Sequence, residues 1–218
     1  MKLTVVYDNE AKEGLIKGWG FSCFVDTGEH KILFDTGWDG QVLLHNMEVL
    51  GIDVHGIDIL VLSHQHWDHI GGLPTFLFQN PKVNVYVPAS FSANLKKEIS
   101  WRSVLHEVTG IQEICRRVYT TGELGTEIKE QSLVIDSDKG MYVLTGCAHP
   151  GLQSIIDSAS RIGNIEGIVG GLHDGTDYDL LGKLKFIVAG HCTSHKSCIE
   201  GMFPDRYRNT FAGFILHF

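Results

Sequence analysis

Three imidazoles and a carboxylate fall within six residues, His64-Gln65-His66-Trp67-Asp68-His69. Once protonated, the three imidazoles repel one another, and all four groups bury poorly without partners. A divalent cation resolves the conflict, because neutral imidazole and ionised carboxylate are good ligands for zinc, iron or manganese. The plain alternative is a His-rich surface loop. The setting argues against it: residues 57–62 read as a buried strand, and Gly71-Gly72 follows the cluster. A strand ends, a loop holds the ligands, and a helix begins.

Two distant histidines share that setting. His149 stands in Thr145-Gly146-Cys147-Ala148-His149-Pro150-Gly151, after one strand-like run and before an amphipathic one. His191 follows the apolar run 186–190. Strand ends along one edge of an open α/β sheet are where sites gather, so both are candidate metal ligands. His173, in Gly170-Gly171-Leu172-His173, is a candidate for contact with substrate. The remaining histidines, at 30, 45, 55, 106, 195 and 217, end no strand in a Gly-rich loop and read as surface residues. Cys147 and Cys192 each neighbour a candidate ligand; a small buried thiol is the plain reading, metal binding or redox tuning the sharper one. Structural zinc of the Cys-rich kind is disfavoured because no CxxC pair occurs. GxGxxG, P-loop and GxSxG patterns are also absent.

These residues need elements to position them. Strands are expected over 3–7, 21–25, 32–35, 57–62, 83–87, 132–136, 141–145, 165–169, 186–189 and 214–217. Asp138-Lys139-Gly140 reads as a hairpin turn. Helices are expected over 41–50, 91–106 and 150–162, the last with Leu152, Ile155, Ile156, Ala159 and Ile162 on one face. Two groups of strands with helices suggest an α/β sandwich of two packed sheets between helical layers, in a single domain over 1–218.

Composition narrows the function classes. The 218 residues are 43% hydrophobic and 20% charged, with a net charge of −8. That balance argues against a general nucleic-acid binder. No apolar run is long enough to span a bilayer, and the N-terminus lacks the apolar core of a signal peptide. Five cysteines without framework spacing fit a reduced, cytoplasmic protein. The expected partner is a small molecule, with a homo-oligomer left open.

The run His64, His66, Asp68, His69, Gly71 and Gly72, with Leu33-Phe34-Asp35-Thr36-Gly37 upstream, resembles the metallo-β-lactamase superfamily. Further stretches, Asp8-Asn9, Trp19-Gly20-Phe21-Ser22, Gly170-Gly171-Leu172-His173 and Gly190-His191-Cys192-Thr193 among them, are similar to one branch. That branch contains the dihydropterin ribofuranosyl-aminobenzene phosphate synthases of methanopterin biosynthesis and many metal-dependent hydrolases. The resemblance implies a four-layer αββα sandwich with metal at its open edge. It implies one ion on His64, His66 and His149, and a second on Asp68, His69 and His191. Asp35 would support the loop without being a ligand. The cofactor would be one or two divalent ions, zinc first, with iron or manganese as alternatives.

Two departures bear on the metal count. Many members carry a bridging Asp after Thr-Gly, where this chain has Cys147, so either Cys147 or His149 stands in or the bridge is absent. The usual third-motif His has no match before residue 141, where Glu130-Gln131-Ser132 stands. The leading function is hydrolysis of a small, anionic substrate through a metal-bound water that Asp68 orients. The alternative is group transfer like that of the synthases, with Arg206, Arg208, Lys96 or Lys97 as candidates for phosphate and ordinary surface charge as the weightier reading of each. A metal-binding sensor without turnover is the third reading.

Overall fold

β-branched and aromatic runs settle into strands because their side chains pack on a pleated surface, and here they fill two sheets. A computed structural model describes residues 1–218. The chain has two units, Met1–Val108 with Phe211–Phe218, and Thr109–Thr210. The first unit contains β1 (Lys2–Tyr7), β2 (Ser22–Asp26), β3 (Lys31–Phe34), β4 (Ile59–Val61), β5 (Asn84–Pro88) and β6 (Val104–Val108). Its helices are α1 (Gly40–Val49), α2 (Trp67–Ile70), α3 (Leu73–Gln79) and α4 (Ala93–Arg102). The second contains β7 (Gln112–Cys115), β8 (Val118–Thr120), β9 (Leu133–Ser137), β10 (Gly140–Thr145), β11 (Ile165–Gly171), β12 (Phe186–Gly190) and β13 (Tyr207–Asn209). Its helices are α5 (Leu152–Ser160), α6 (Tyr178–Leu181) and α7 (Lys196–Met202), and the chain returns to the first unit for β14 (Ile215–His217).

Each unit holds a seven-stranded mixed sheet, ordered β14-β1-β2-β3-β4-β5-β6 and β13-β12-β11-β10-β9-β8-β7. Strands β3 to β6 run parallel, as do β10 to β13. In the first unit Leu33, Leu60 and Val85 pack with Leu43, Met47, Phe76 and Ile99 from the helices. In the second, Val143, Ile168 and Ile187 pack with Leu152, Ile155, Ile156 and Ala159 of α5. Parallel strands send their carboxyl ends to one edge, and that edge is where ligands bind in open α/β sheets. The register Thr145↔Gly170 and Gly171↔Gly190 brings the ends of β10, β11 and β12 level, so the loops bearing His149, His173 and His191 leave from neighbouring positions.

All ten expected strands are present, and the expected turn at 138–140 joins β9 to β10. Helix α1 starts where the Asp39 side chain accepts from the Gln41 and Val42 N–H groups, and Gly51, at φ 68°, follows its end. The expected helix over 91–106 differs. Ser92 caps α4, the helix stops at Arg102, and residues 104–108 form edge strand β6. An edge strand with one paired side and a half-exposed pattern leaves little periodicity to read. Helix α5 begins at Leu152 instead of Pro150, because Gly151 takes φ 85° just before it. No helix is long and apolar enough to cross a membrane.

Ile155 is fully buried against the second sheet, whereas Gln153 on the same helix is exposed. Replacing Ile155 with Ala should lower stability by about 2–5 kcal/mol, and Gln153→Ala by about 0.5 kcal/mol or less. Urea unfolding followed by circular dichroism measures both; equal effects would contradict this packing.

Candidate functional site

In the first unit the site grows from the loop after β4. Ser63 and His64 are fully buried, whereas Gln65, His66 and Trp67 are exposed. His66 caps the short helix α2, which carries Asp68 and the buried His69. Beneath them lies Asp35, fully buried at the end of β3 with φ 58°. A non-glycine residue held there costs about 1–3 kcal/mol and persists only when its surroundings over-determine it.

The surroundings of Asp35 do so. Its Oδ1 accepts the Ser63 N–H at 2.7 Å, and its Oδ2 accepts the Ser63 hydroxyl at 2.7 Å. The same Oδ2 lies 2.7 Å from His69 Nδ1. An ionised carboxylate only accepts, so His69 Nδ1 carries its proton. The one Ser63 hydroxyl proton goes to Asp35, so the Ser63 oxygen accepts from His64 Nδ1, 2.9 Å away. As neutral imidazoles, both rings are thereby held as the tautomer that presents Nε2 as a lone pair, the form a metal ligand needs. Burial pushes the neighbouring Cys23 thiol well above its ordinary pKa, and the negative charge of Asp35 adds to the shift.

The donor set fits a cation. His64 Nε2 stands 3.1 Å from His66 Nδ1. Two nitrogens bound to one tetrahedral zinc at roughly 2.0–2.1 Å lie about 3.3 Å apart. Asp68 Oδ2 lies 3.8 Å from His69 Nε2, a carboxylate and an imidazole also within range of a shared ion. The loop is pinned from below by Thr36, whose N–H and hydroxyl both donate to the His69 carbonyl, at 2.8 and 2.9 Å. Gly71 permits this approach: a Cβ there would stand 2.1 Å from the Trp38 carbonyl oxygen.

In the second unit the loop from Thr145 to His149 is organised by Glu130, which is almost fully buried. Its Oε1 accepts from the Thr145 hydroxyl and from the N–H groups of Gly146, Cys147 and Ala148 at 2.9–3.1 Å. Its Oε2 accepts from the His149 N–H at 2.9 Å. Five donors on one carboxylate make a fixed anionic anchor for the loop. Glu130 stands where the sequence lacked the expected third-motif His, and its role as an anchor was not anticipated. The only signal was an acidic residue at the head of an apolar strand run.

Ala148 at φ 56°, His173 at φ 48° and His191 at φ 47° are held in the same left-handed region as Asp35. The rings of His149 and His173 lie 4.9 Å apart between centroids. His173 Nδ1 lies 3.1 Å from Asp174 Oδ2. A hydrogen bond from Ser194, then the nearby His173, draws the Asp174 carboxyl below its ordinary range. His149, His173 and Asp174 line a cavity of about 720 Å³ together with Thr126, Glu127 and Ser154. His191, nearly buried, groups instead with Cys147 and Cys192.

The basic residues considered for phosphate are engaged elsewhere. Arg206 donates to the Gly182 and Leu184 carbonyls, and Arg208 to those of Tyr207 and Pro204. Lys96 pairs with Glu107 at 2.8 Å, and Lys97 lies over the Trp101 ring at 5.1 Å.

The profile of the metallo-beta-lactamase superfamily matches residues 20–161, more than half of the chain. The chain belongs to the metallo-β-lactamase superfamily. Among curated relatives it is 28% identical to the 7,8-dihydropterin-6-methyl-4-(β-D-ribofuranosyl)-aminobenzene-5'-phosphate synthase of Methanocaldococcus jannaschii, covering 86% of this chain and 84% of that one. Among solved structures it is similar to Tm1679, a metal-dependent hydrolase of the β-lactamase superfamily, at TM-score 0.79 and 25% identity, covering 100% of this chain and 99% of that one. The metallo-β-lactamase fold protein YhfI of Bacillus subtilis shares the fold at TM-score 0.72 and 14% identity, with coverage of 99% and 98%. The α/β fold class expected from the sequence is thus the one found, and the superfamily typically binds divalent metals.

Glu130 gives a direct test of the second unit's loop. Glu130→Ala should cost about 3 kcal/mol or more, since charge-assisted hydrogen bonds contribute roughly 1.5–3 kcal/mol each. Glu130→Gln, which keeps an acceptor oxygen but loses the charge, should cost less. Chemical unfolding of both variants checks the order; a change under about 0.5 kcal/mol for Glu130→Ala would contradict an anchoring role.

Proposed function

We propose that this superfamily member is a metal-dependent hydrolase of a small, anionic molecule, its residues 1–218 working as one domain. His64, His66 and His149 would hold one divalent ion, and Asp68, His69 and His191 a second. Zinc is the first choice, with iron or manganese as alternatives. The observation that carries this reading is the Asp35–Ser63 network, which leaves His64 Nε2 and His69 Nε2 as lone pairs and sets His64 Nε2 3.1 Å from His66 Nδ1. Five donors on Glu130 fix the loop that carries His149, which supports its assignment as a ligand.

When bound, such an ion lowers the pKa of water toward about 7 and polarises the electrophile. The chain's own residues then divide the work. Asp35 and Ser63 keep two imidazoles in the ligating tautomer. Asp68, with 15% of its side chain exposed, is the catalytic residue: one carboxylate oxygen would face the ion while the other orients the attacking water. His173, with 43% of its side chain exposed beside the cavity, binds the substrate. A cavity of about 720 Å³ suits a small molecule.

The second reading is a transferase like the methanopterin-pathway synthase, favoured by 28% identity over 86% of this chain. There the ions would stabilise departing pyrophosphate. The engagement of Arg206, Arg208, Lys96 and Lys97 with their own neighbours lends that reading no phosphate site.

The deciding experiment loads the protein with zinc, iron(II) or manganese and measures bound metal. It then assays phosphodiester, lactone, thioester and β-lactam substrates beside a dihydropterin with phosphoribosyl pyrophosphate and 4-aminobenzoate. The expected result is metal-dependent hydrolysis that chelation abolishes and that Asp68→Asn slows by about 10²–10⁴-fold in kcat. Failure to bind any of the metals would overturn the proposal, and pterin product would replace it with the second reading.

A further inference from the structure

The second unit holds a group of side chains that the proposed hydrolysis does not require. Cys147 Sγ, a His191 ring nitrogen and Cys192 Sγ all lie within 4.8 Å of one another. Cys147 and His191 are almost fully buried, and Cys192 is half-buried. None of the five cysteines is in a disulfide. Cys147 follows the end of β10, while His191 and Cys192 follow the end of β12. Strand β11 lies between those two strands in the sheet.

Residues on alternate strands meet only if the middle strand leaves room, and Gly171 at the end of β11 does. A Cβ there would stand 2.6 Å from Cys192 Sγ, 2.5 Å from the Gly146 carbonyl oxygen and 3.4 Å from His191 Cδ2. With no side chain at 171, the Cys192 thiol reaches over the strand to 4.0 Å from the Cys147 carbonyl oxygen. Ala148 at φ 56° and His191 at φ 47° are the bends that turn the two loops inward. Each such bend costs about 1–3 kcal/mol, so the arrangement is held against strain.

We propose that Cys147, Cys192 and His191 form a thiolate-rich ligand set, so that the ion assigned to His191 is held by two sulfurs and one nitrogen, with one tetrahedral position left for Asp68 or His69. This deepens the metal-dependent reading and rests on it. On one tetrahedral zinc, sulfurs at roughly 2.3 Å stand about 3.8 Å apart, and sulfur and nitrogen about 3.5 Å apart. Small side-chain rotations from separations under 4.8 Å reach those values. Two thiolates balance the charge of a divalent ion, and they are the chemical replacement for the bridging carboxylate missing at Cys147. Soft sulfur selects zinc or iron(II) over manganese and magnesium, which prefer oxygen. The substitution of Cys for Asp therefore changes which metal the site accepts, not whether it accepts one.

Cobalt(II) loading tests the ligand set without turnover. Bound metal is counted by elemental analysis, and thiolate ligation is read from the near-ultraviolet thiolate-to-cobalt charge-transfer band. The unsubstituted protein should show the band. Cys147→Ser and Cys192→Ser should each remove about half of it, since each supplies one of two Co–S bonds, and the double variant all of it. Cys198→Ser, at an exposed position on α7, should leave it unchanged. Cys147→Asp restores an acidic ligand and guards against loss of fold; it should keep the metal, lose about half the band and bind manganese better relative to zinc. Cobalt bound without the band, or a band that survives the double variant, overturns this proposal while leaving the metal-dependent reading standing. No cobalt bound at all overturns both.

Discussion

The buried carboxylate of Asp35 is the constraint on which the loop after β4 depends. It has no water to solvate it, so its charge must be met by hydrogen bonds. Three contacts at 2.7 Å, from the Ser63 N–H, the Ser63 hydroxyl and His69 Nδ1, supply them. Because those donors are committed downward, the opposite faces of His64 and His69 are left as lone pairs. One buried charge therefore selects the tautomer of two imidazoles in a crowded loop. The left-handed backbone at Asp35 is the local cost of placing that charge under the loop.

Glu130 does the corresponding work in the second unit by a different route. Asp35 acts on side chains, whereas four of the five donors to Glu130 are backbone N–H groups. It fixes the path of the chain, and the chain then carries Cys147 and His149 to their positions. The two carboxylates share a physical logic: each is a buried anion satisfied by a loop, so the loop cannot move without leaving charge exposed to an apolar interior. Rigid loops of this kind suit a site whose ligands must be in place before a substrate arrives.

Much of this was legible in the sequence because the relevant signals are local. The candidate ligands from His64 to His69 are adjacent in the chain, and the apolar runs of β4, β10, β11 and β12 announce the strands that deliver the loops. Helix α5 declares itself through Leu152, Ile155, Ile156 and Ala159, all buried on one face. Glu130 was not legible, because its partners are 15 to 19 residues away and mostly backbone, which has no sequence signature. Edge strand β6 was hidden for a related reason: its identity comes from pairing with β5, not from its own half-exposed pattern. The grouping of Cys147 with Cys192 also escaped, since it depends on the missing side chain at Gly171.

The central proposal is that the loop after β4 holds a metal ion. Anomalous diffraction at the absorption edge of the metal, on crystals of the metal-loaded protein, tests it most directly. A peak is expected at roughly 2.0–2.1 Å from both His64 Nε2 and His66 Nδ1, with Asp35 outside the coordination sphere. Metal bound elsewhere, with no peak at those two nitrogens, would contradict it.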